Sequence, residues 1–210
     1  MRFRRIGATA ILLVVLAWLL ASLTNGNGST VAAADERLAS TQAQLARIVA
    51  KNQGEVQKLD HATNNGFTAD VSAFAQNTEH MRELLRRLQE DTAALSAARE
   101  QTLASVDKEI GSVADSEARS RLQGIRDEAS RYTQERLQTA RIIELDLMGA
   151  LNRANDVLHA TKALNLAVSL RSGGDALFAR AMETRAALEQ YKQHTNSLLS
   201  RLQLPTPSGS

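Results

Sequence analysis

Four histidines, His61, His80, His159 and His194, are the natural candidates for metal ligands in a chain that contains no cysteine. A di-iron centre inside a helical bundle takes Glu-x-x-His from two helices and one further Glu from each of the other two. Only Asp156 and His159 stand in an i, i+3 relation, and they do so once. The spacing predicts histidines that are solvated or internally satisfied, and no metal centre. The absence of cysteine removes thiolate ligands, disulfides and a cysteine nucleophile, and leaves the redox compartment open. There is no Cys-x-x-Cys-His for haem attachment, no G-x-S-x-G and no credible triad. The expectation is a protein without a cofactor that is not an enzyme.

The Gly-Gly pair in "LRSGGDALFARAMETRAALEQ" (170–190) raises the question of phosphate binding. A Walker loop needs Lys and Ser or Thr after its last glycine, and a dinucleotide loop needs a third spaced glycine after a strand. Here Asp175 follows, where its charge would repel a phosphate. Gly173 or Gly174 is expected to end one helix and Asp175 to cap the next.

Arg99, Tyr132 and Arg136 form the remaining candidate site. Arg99 falls on the thin apolar seam of the second helix, and on the third the phase is open between Arg136 and Leu137; a turn near residue 115 would bring the two arginines to similar heights on a hairpin, opposite Tyr132 and Leu95. Two inward guanidinium groups could hold the carboxylate of a ligand. The competing expectation is that they reach solvent or pair with Glu100, Glu128 or Glu135.

The elements that would position these groups are helices. Aromatics are 3% of the 210 residues, and the two prolines, Pro205 and Pro207, lie near the C-terminus. Phe67, Val71, Phe74, Thr78, Met81, Leu85, Leu88, Thr92 and Leu95 alternate steps of four and three, the seam of a helix packed on helices. Leu177, Ala181, Thr184, Leu188, Tyr191, Thr195, Leu198 and Leu202 repeat it. Leu38, Leu45, Ile48, Val56 and Leu59 show it less cleanly. Thr at seam positions, and Asn52, would mark register. Breaks at "NNGF" (64–67), "GSVADSEARS" (111–120) and "SGGD" (172–175) divide the run into helices over about 35–63, 67–114, 117–171 and 175–203. The fold class is all-α: an elongated antiparallel four-helix bundle with a long central hairpin. One very long hairpin of about 80 residues per arm is the alternative. Residues 98–136 carry a thin seam and should meet one partner. "RIIELDLMGAL" (141–151) and "ALNLAVSL" (163–170) are apolar on more than one side and should meet several.

Ahead of this body, "MRFRR" precedes about 18 uncharged, mostly apolar residues, Ile6 to Leu23, with no further charge before Asp35. The arginines stay cytoplasmic and the remainder is exported, to the periplasm of a Gram-negative cell. Residues 1–23 are read as an inner-membrane anchor or, with Ala32 and Ala34 as an A-x-A site, a cleaved signal peptide. Residues 24–34 are read as a flexible linker and 205–210 as a disordered tail. Arg2, Arg4 and Arg5 supply three of the 25 basic residues, so the body carries 22 against 23 acidic ones. That balance predicts no nucleic-acid partner.

The segment "ATKALNLAVSLRSGGDALFARAMETRAALEQYKQ" resembles the periplasmic four-helix sensor domains of bacterial chemoreceptors and histidine kinases. A Gly-Asp turn followed by the apolar pair Leu177-Phe178 and heptad Ala and Leu carries the likeness, over about 35 residues. The resemblance implies a ligand- or protein-binding role in signal transduction, similar to chemotaxis receptors. That family continues into a second span and a signalling module, whereas "RLQLPTPSGS" follows the last helix here. The expectation is thus a sensor-like bundle with no output of its own, working with a membrane partner protein or as a homo-oligomer. A structural coiled-coil spacer or assembly factor of the cell envelope is the alternative.

Overall fold

The computed structural model of the chain describes residues 28–65 and 68–202. The expected membrane segment, the tail and Phe67 lie outside them. Among the described residues there are four helices and no strand: α1 (Gly28–Asn64), α2 (Ser72–Ser112), α3 (Ser116–Ser169) and α4 (Gly174–Leu202). None of these helices is long and apolar enough to cross a membrane. The all-α expectation holds.

Residues 28–34, expected within a flexible linker, form the first turns of α1 instead. Nothing between Gly28 and Asp35 breaks a helix, and three consecutive alanines favour one. Packing supplies the rest, because Ala34 and Leu38 are buried. At the other end, α2 begins at Ser72 rather than 67. The Asp70 side chain accepts from the Ser72 backbone N–H at 2.8 Å, which starts the helix there. Hydrogen bonds from the Ser72 side chain and from its backbone N–H hold the Asp70 carboxyl below its ordinary range.

The turn between α2 and α3 is short, and Asp115 caps it. Its Oδ1 accepts from the Ala118 N–H at 2.8 Å. The α3–α4 turn departs from expectation. Ser172 N donates to Ala167 O at 3.1 Å and Arg171 N to Val168 O at 3.1 Å, the paired bonds that close a helix through one left-handed residue. That residue is Arg171, with φ 51°, and not Gly173 or Gly174. Asp175 lies inside the first turn of α4, which opens at Gly174. A side chain in the left-handed region costs about 1 kcal/mol that glycine avoids. Exposed Arg171 replaced by Gly should therefore stabilise the chain by roughly that amount in chemical denaturation.

Packing divides the chain into two units, residues 28–39 with 90–140, and residues 40–89 with 141–202. In the second unit segments of all four helices surround one core. Val56, Leu59, Phe74, Ala154, Val157, Leu188 and Tyr191 form its centre. Thr184, Leu188, Tyr191, Thr195 and Leu198 are the buried face of α4, as the seam predicts. On α2 the fully buried residue is Leu84 rather than Leu85. Steps of three and four are both open between Met81 and Leu88, and a helix with neighbours on two sides selects by fit. Asn165 of α3 clasps the α1–α2 connection, donating to Ala69 O at 2.7 Å and accepting from Ala69 N at 2.9 Å.

The other unit is a hairpin of α2 and α3 with the start of α1 beside it. Leu95, Ala98, Leu137 and Ala140 are buried in it with Ala34 and Leu38. Between residues 99 and 132 Ile110 alone is buried, so the hairpin tip has a thin seam. Arg126 crosses it with both Nε and Nη2 on the Asp107 carboxylate, each at 2.9 Å. The forked geometry explains why the Arg126 guanidinium is held more firmly protonated than usual.

Candidate binding site

The predicted trio lies within the hairpin unit, and the structure divides it. Arg136 and Tyr132 stand one turn apart on α3 and meet the same group, the carboxylate of Asp35 on α1. Arg136 Nε donates to Asp35 Oδ1 at 2.8 Å, and the Tyr132 hydroxyl reaches Oδ2 at 3.5 Å. Arg99 turns elsewhere, with Nε on Thr133 Oγ1 at 3.1 Å and Nη2 on Ser130 Oγ at 2.8 Å. Arg136 is 4% exposed and Asp35 26%. Glu100, Glu128 and Glu135 take no part in these contacts. A carboxylate does occupy the arginine, but it belongs to the chain. Any ligand carboxylate would have to displace Asp35 from Arg136. One donor of the guanidinium is left over, since Arg136 Nη2 is buried without a hydrogen-bond partner among the described residues.

Asp35 escaped the sequence reading for a definite reason. It lies 101 residues from Arg136 in the chain, and the linker expectation placed it at the very edge of its helix. The signal available was a buried-type heptad position: Ala34 and Leu38 bracket it one turn apart, so Asp35 had to sit beside a packed face.

A second concavity lies in the four-helix unit, along the groove between α3 and α4. It has a volume of about 300 Å³ and is lined by Asp146, Arg153, Gln190, Gln193, His194 and Ser197. Asp146 is held at one end by Arg201 Nε at 2.6 Å. The His194 ring covers Gly149: a Cβ built on that glycine would lie 2.3 Å from Nε2. The glycine lets the imidazole lie against the α3 backbone. Gly149→Ala should swing His194 out of the groove. The helix-propensity gain of about 1 kcal/mol should appear fully only when His194 is also replaced by Ala. A double-mutant cycle on thermal unfolding reads the difference.

No family model matches this chain, and neither a curated protein nor a solved structure does. The functional reading therefore rests on the groups themselves. His61, His80 and His159 are exposed, and His61 is in contact with the Asn65 amide at 3.1 Å. Among the described residues no three His, Asp or Glu side chains gather as a metal site would require.

The deepest polar contact belongs to the four-helix core. Asn52 and Tyr191 are fully buried, and the Asn52 amide donates to the Tyr191 hydroxyl at 2.8 Å. That hydroxyl in turn lies 3.8 Å from Met81 Sδ. Phe74 presents its ring edge-on to Tyr191, with centroids 5.3 Å apart and planes at 73°. The cluster ties α1, α2 and α4 together. Burial raises the Tyr191 phenol well above its ordinary value, with the Asn52 bond opposing it weakly. Sequence reading picked out Asn52 and Tyr191 separately as seam residues; their pairing across 139 positions has no local signal.

Proposed function

We propose that the chain is an extracytoplasmic helical binding module, delivered across the inner membrane by its arginine-flanked apolar N-terminus and held there by it as a single-pass anchor. It works by association, in the manner of the sensor domains it resembles, and without chemistry of its own. The observation that carries this reading is the exposure of large apolar side chains on α3 and α4. Leu145, Leu170 and Phe178 are each about two-thirds exposed (68%, 69% and 67%). Ile142, Met148, Leu166 and Met182 add to them. Apolar surface on this scale marks an interaction site. A protein partner suits it better than a small ligand, because Arg136 already holds a carboxylate.

The thin seam of the hairpin unit favours a second reading, a coiled-coil spacer or assembly factor of the envelope. Two measurements on the full chain separate the readings. Spheroplast proteolysis should degrade the body while the N-terminal segment fractionates with the inner membrane; a body protected in the cytoplasm would overturn the location. A thermal-shift panel should show stabilisation by whatever binds the folded state. A spacer shows none.

A further inference from the structure

The polar groove between α3 and α4 takes no part in the reading above, yet its groups stand in register. His194 of α4 lies against Gly149 of α3. In an antiparallel pair that contact sets Arg153 level with Gln190 and Asp146 level with Ser197, the two levels about 10 Å apart along the axes. These side chains and His194 line one cavity of about 300 Å³. Gly54 and Gly124 also lie inside helices, but a Cβ on either would meet open space, whereas at Gly149 it would strike the imidazole. The gap in the side chains of α3 is thus filled from α4, and it lets His194 form a wall of the groove.

Asp146 is the one carboxylate among the lining groups, and it is already engaged. Arg201 Nε stands 2.6 Å from its Oδ2, close as an ion pair though not aligned as a hydrogen bond. Arg153 is less committed. Its Nη1 reaches Asp156 at 3.2 Å, and both side chains are about half exposed. Ion pairs of that kind are weak, so the guanidinium can turn its other N–H groups to a ligand. Among the described residues no hydrogen bond uses the Gln190 amide, the His194 ring or the Ser197 hydroxyl. The capacity left over in the cavity is one cation and several neutral groups able to donate.

We propose that this groove binds a small phosphate monoester, with the phosphate on Arg153, Gln190 and His194 and its hydroxylated remainder towards Ser197. The volume is at the lower end of ligand pockets. Pockets for apolar molecules are lined mainly by apolar side chains, and every group lining this one is polar, so it suits a ligand that is polar throughout. A ligand led by an ammonium group would need Asp146, which Arg201 occupies. A carboxylate offers two oxygens in one plane and is used up by the fork of Arg153 alone. A phosphate offers three acceptor oxygens and can take Arg153 from α3 together with Gln190 and His194 from α4. The site goes beyond the association reading and stands on either side of the membrane.

In the purified full chain at fixed ionic strength, glycerol phosphate should raise the melting temperature and saturate. Inorganic phosphate should bind more weakly, and acetate should leave the melting temperature unchanged. Arg153→Gln should weaken glycerol phosphate about tenfold, the loss of a charge-assisted hydrogen bond. Gly149→Ala, which displaces His194 while favouring the helix, should weaken it severalfold. Asp146→Asn releases Arg201 and should tighten it. Arg131→Gln, at an exposed position of the hairpin unit, should leave it unchanged. No saturable rise with glycerol phosphate, an equal rise with acetate, or an equal loss in Arg131→Gln and Arg153→Gln would each overturn the proposal. Any of these failures leaves the association reading standing, because that reading rests on the exposed apolar side chains of α3 and α4.

Discussion

Asp35→Ala is expected to destabilise the chain by about 2–4 kcal/mol, because it strands a buried guanidinium without its counter-charge. Arg136 is 4% exposed and its Nη2 is already unpartnered, so solvent cannot replace Asp35 without opening the packing. The lower part of the range applies, since Asp35 itself is about a quarter exposed. Replacing both members, Asp35→Ala with Arg136→Leu, should cost less than the Asp35 change alone, because no charge then stays buried. The loss should be local. Hydrogen exchange over residues 28–39 should rise first, since the pair ties the start of α1 to α3. Equal costs for the single and the double variant, or unchanged exchange there, would show that the ion pair does not hold α1 down.

The second large effect lies in the four-helix core. Phe74→Ala should cost about 3–5 kcal/mol, the loss of a fully buried aromatic and the edge-on contact it makes with Tyr191. Tyr191→Phe keeps the ring but leaves the Asn52 amide without its 2.8 Å acceptor, a loss of about 1–3 kcal/mol. Asn52→Leu combined with Tyr191→Phe should recover part of it, which urea denaturation of the four species would reveal. The phenol adds a pH signature. Its folded-state titration is raised above that of the unfolded chain, so its contribution is fully present below about pH 10 and disappears as pH rises further. Wild type should thus lose stability in alkali more steeply than Tyr191→Phe. Parallel alkaline profiles would mean that Tyr191 is not buried as described.

These two clusters also show what could be read in advance. The helices and their buried faces follow from spacing, because an apolar row every three or four residues has one low-energy arrangement in water. The buried run of α4 comes straight from it. Missed were pairings between distant positions: Asp35 with Arg136, Asn52 with Tyr191, Asn165 with Ala69. Each depends on helix register in three dimensions, and one sequence holds no trace of it. The turn at Arg171 was missed for another reason. Two adjacent glycines drew the left-handed position to themselves, but the bond from Ser172 to Ala167 closes the helix earlier. Of the candidate trio, the seam on α3 left Arg136 and Leu137 as alternatives, and the structure buries both. The seam could not say that the carboxylate on Arg136 would come from α1.

Thr63, Thr78 and Thr184 are buried, yet each hydroxyl donates to a carbonyl one turn back in its own helix, at 2.8, 2.8 and 2.9 Å. Their polarity is settled within the helix, so to its neighbours each behaves as a small branched hydrocarbon. These sites are free to wander among Thr, Val, Ser and Ala over evolutionary time, one substitution at a time. Positions 52 and 191 have no such liberty. The Asn52 NH2 group and the Tyr191 hydroxyl answer one another across two helices, so a change at one is best tolerated with a change at the other.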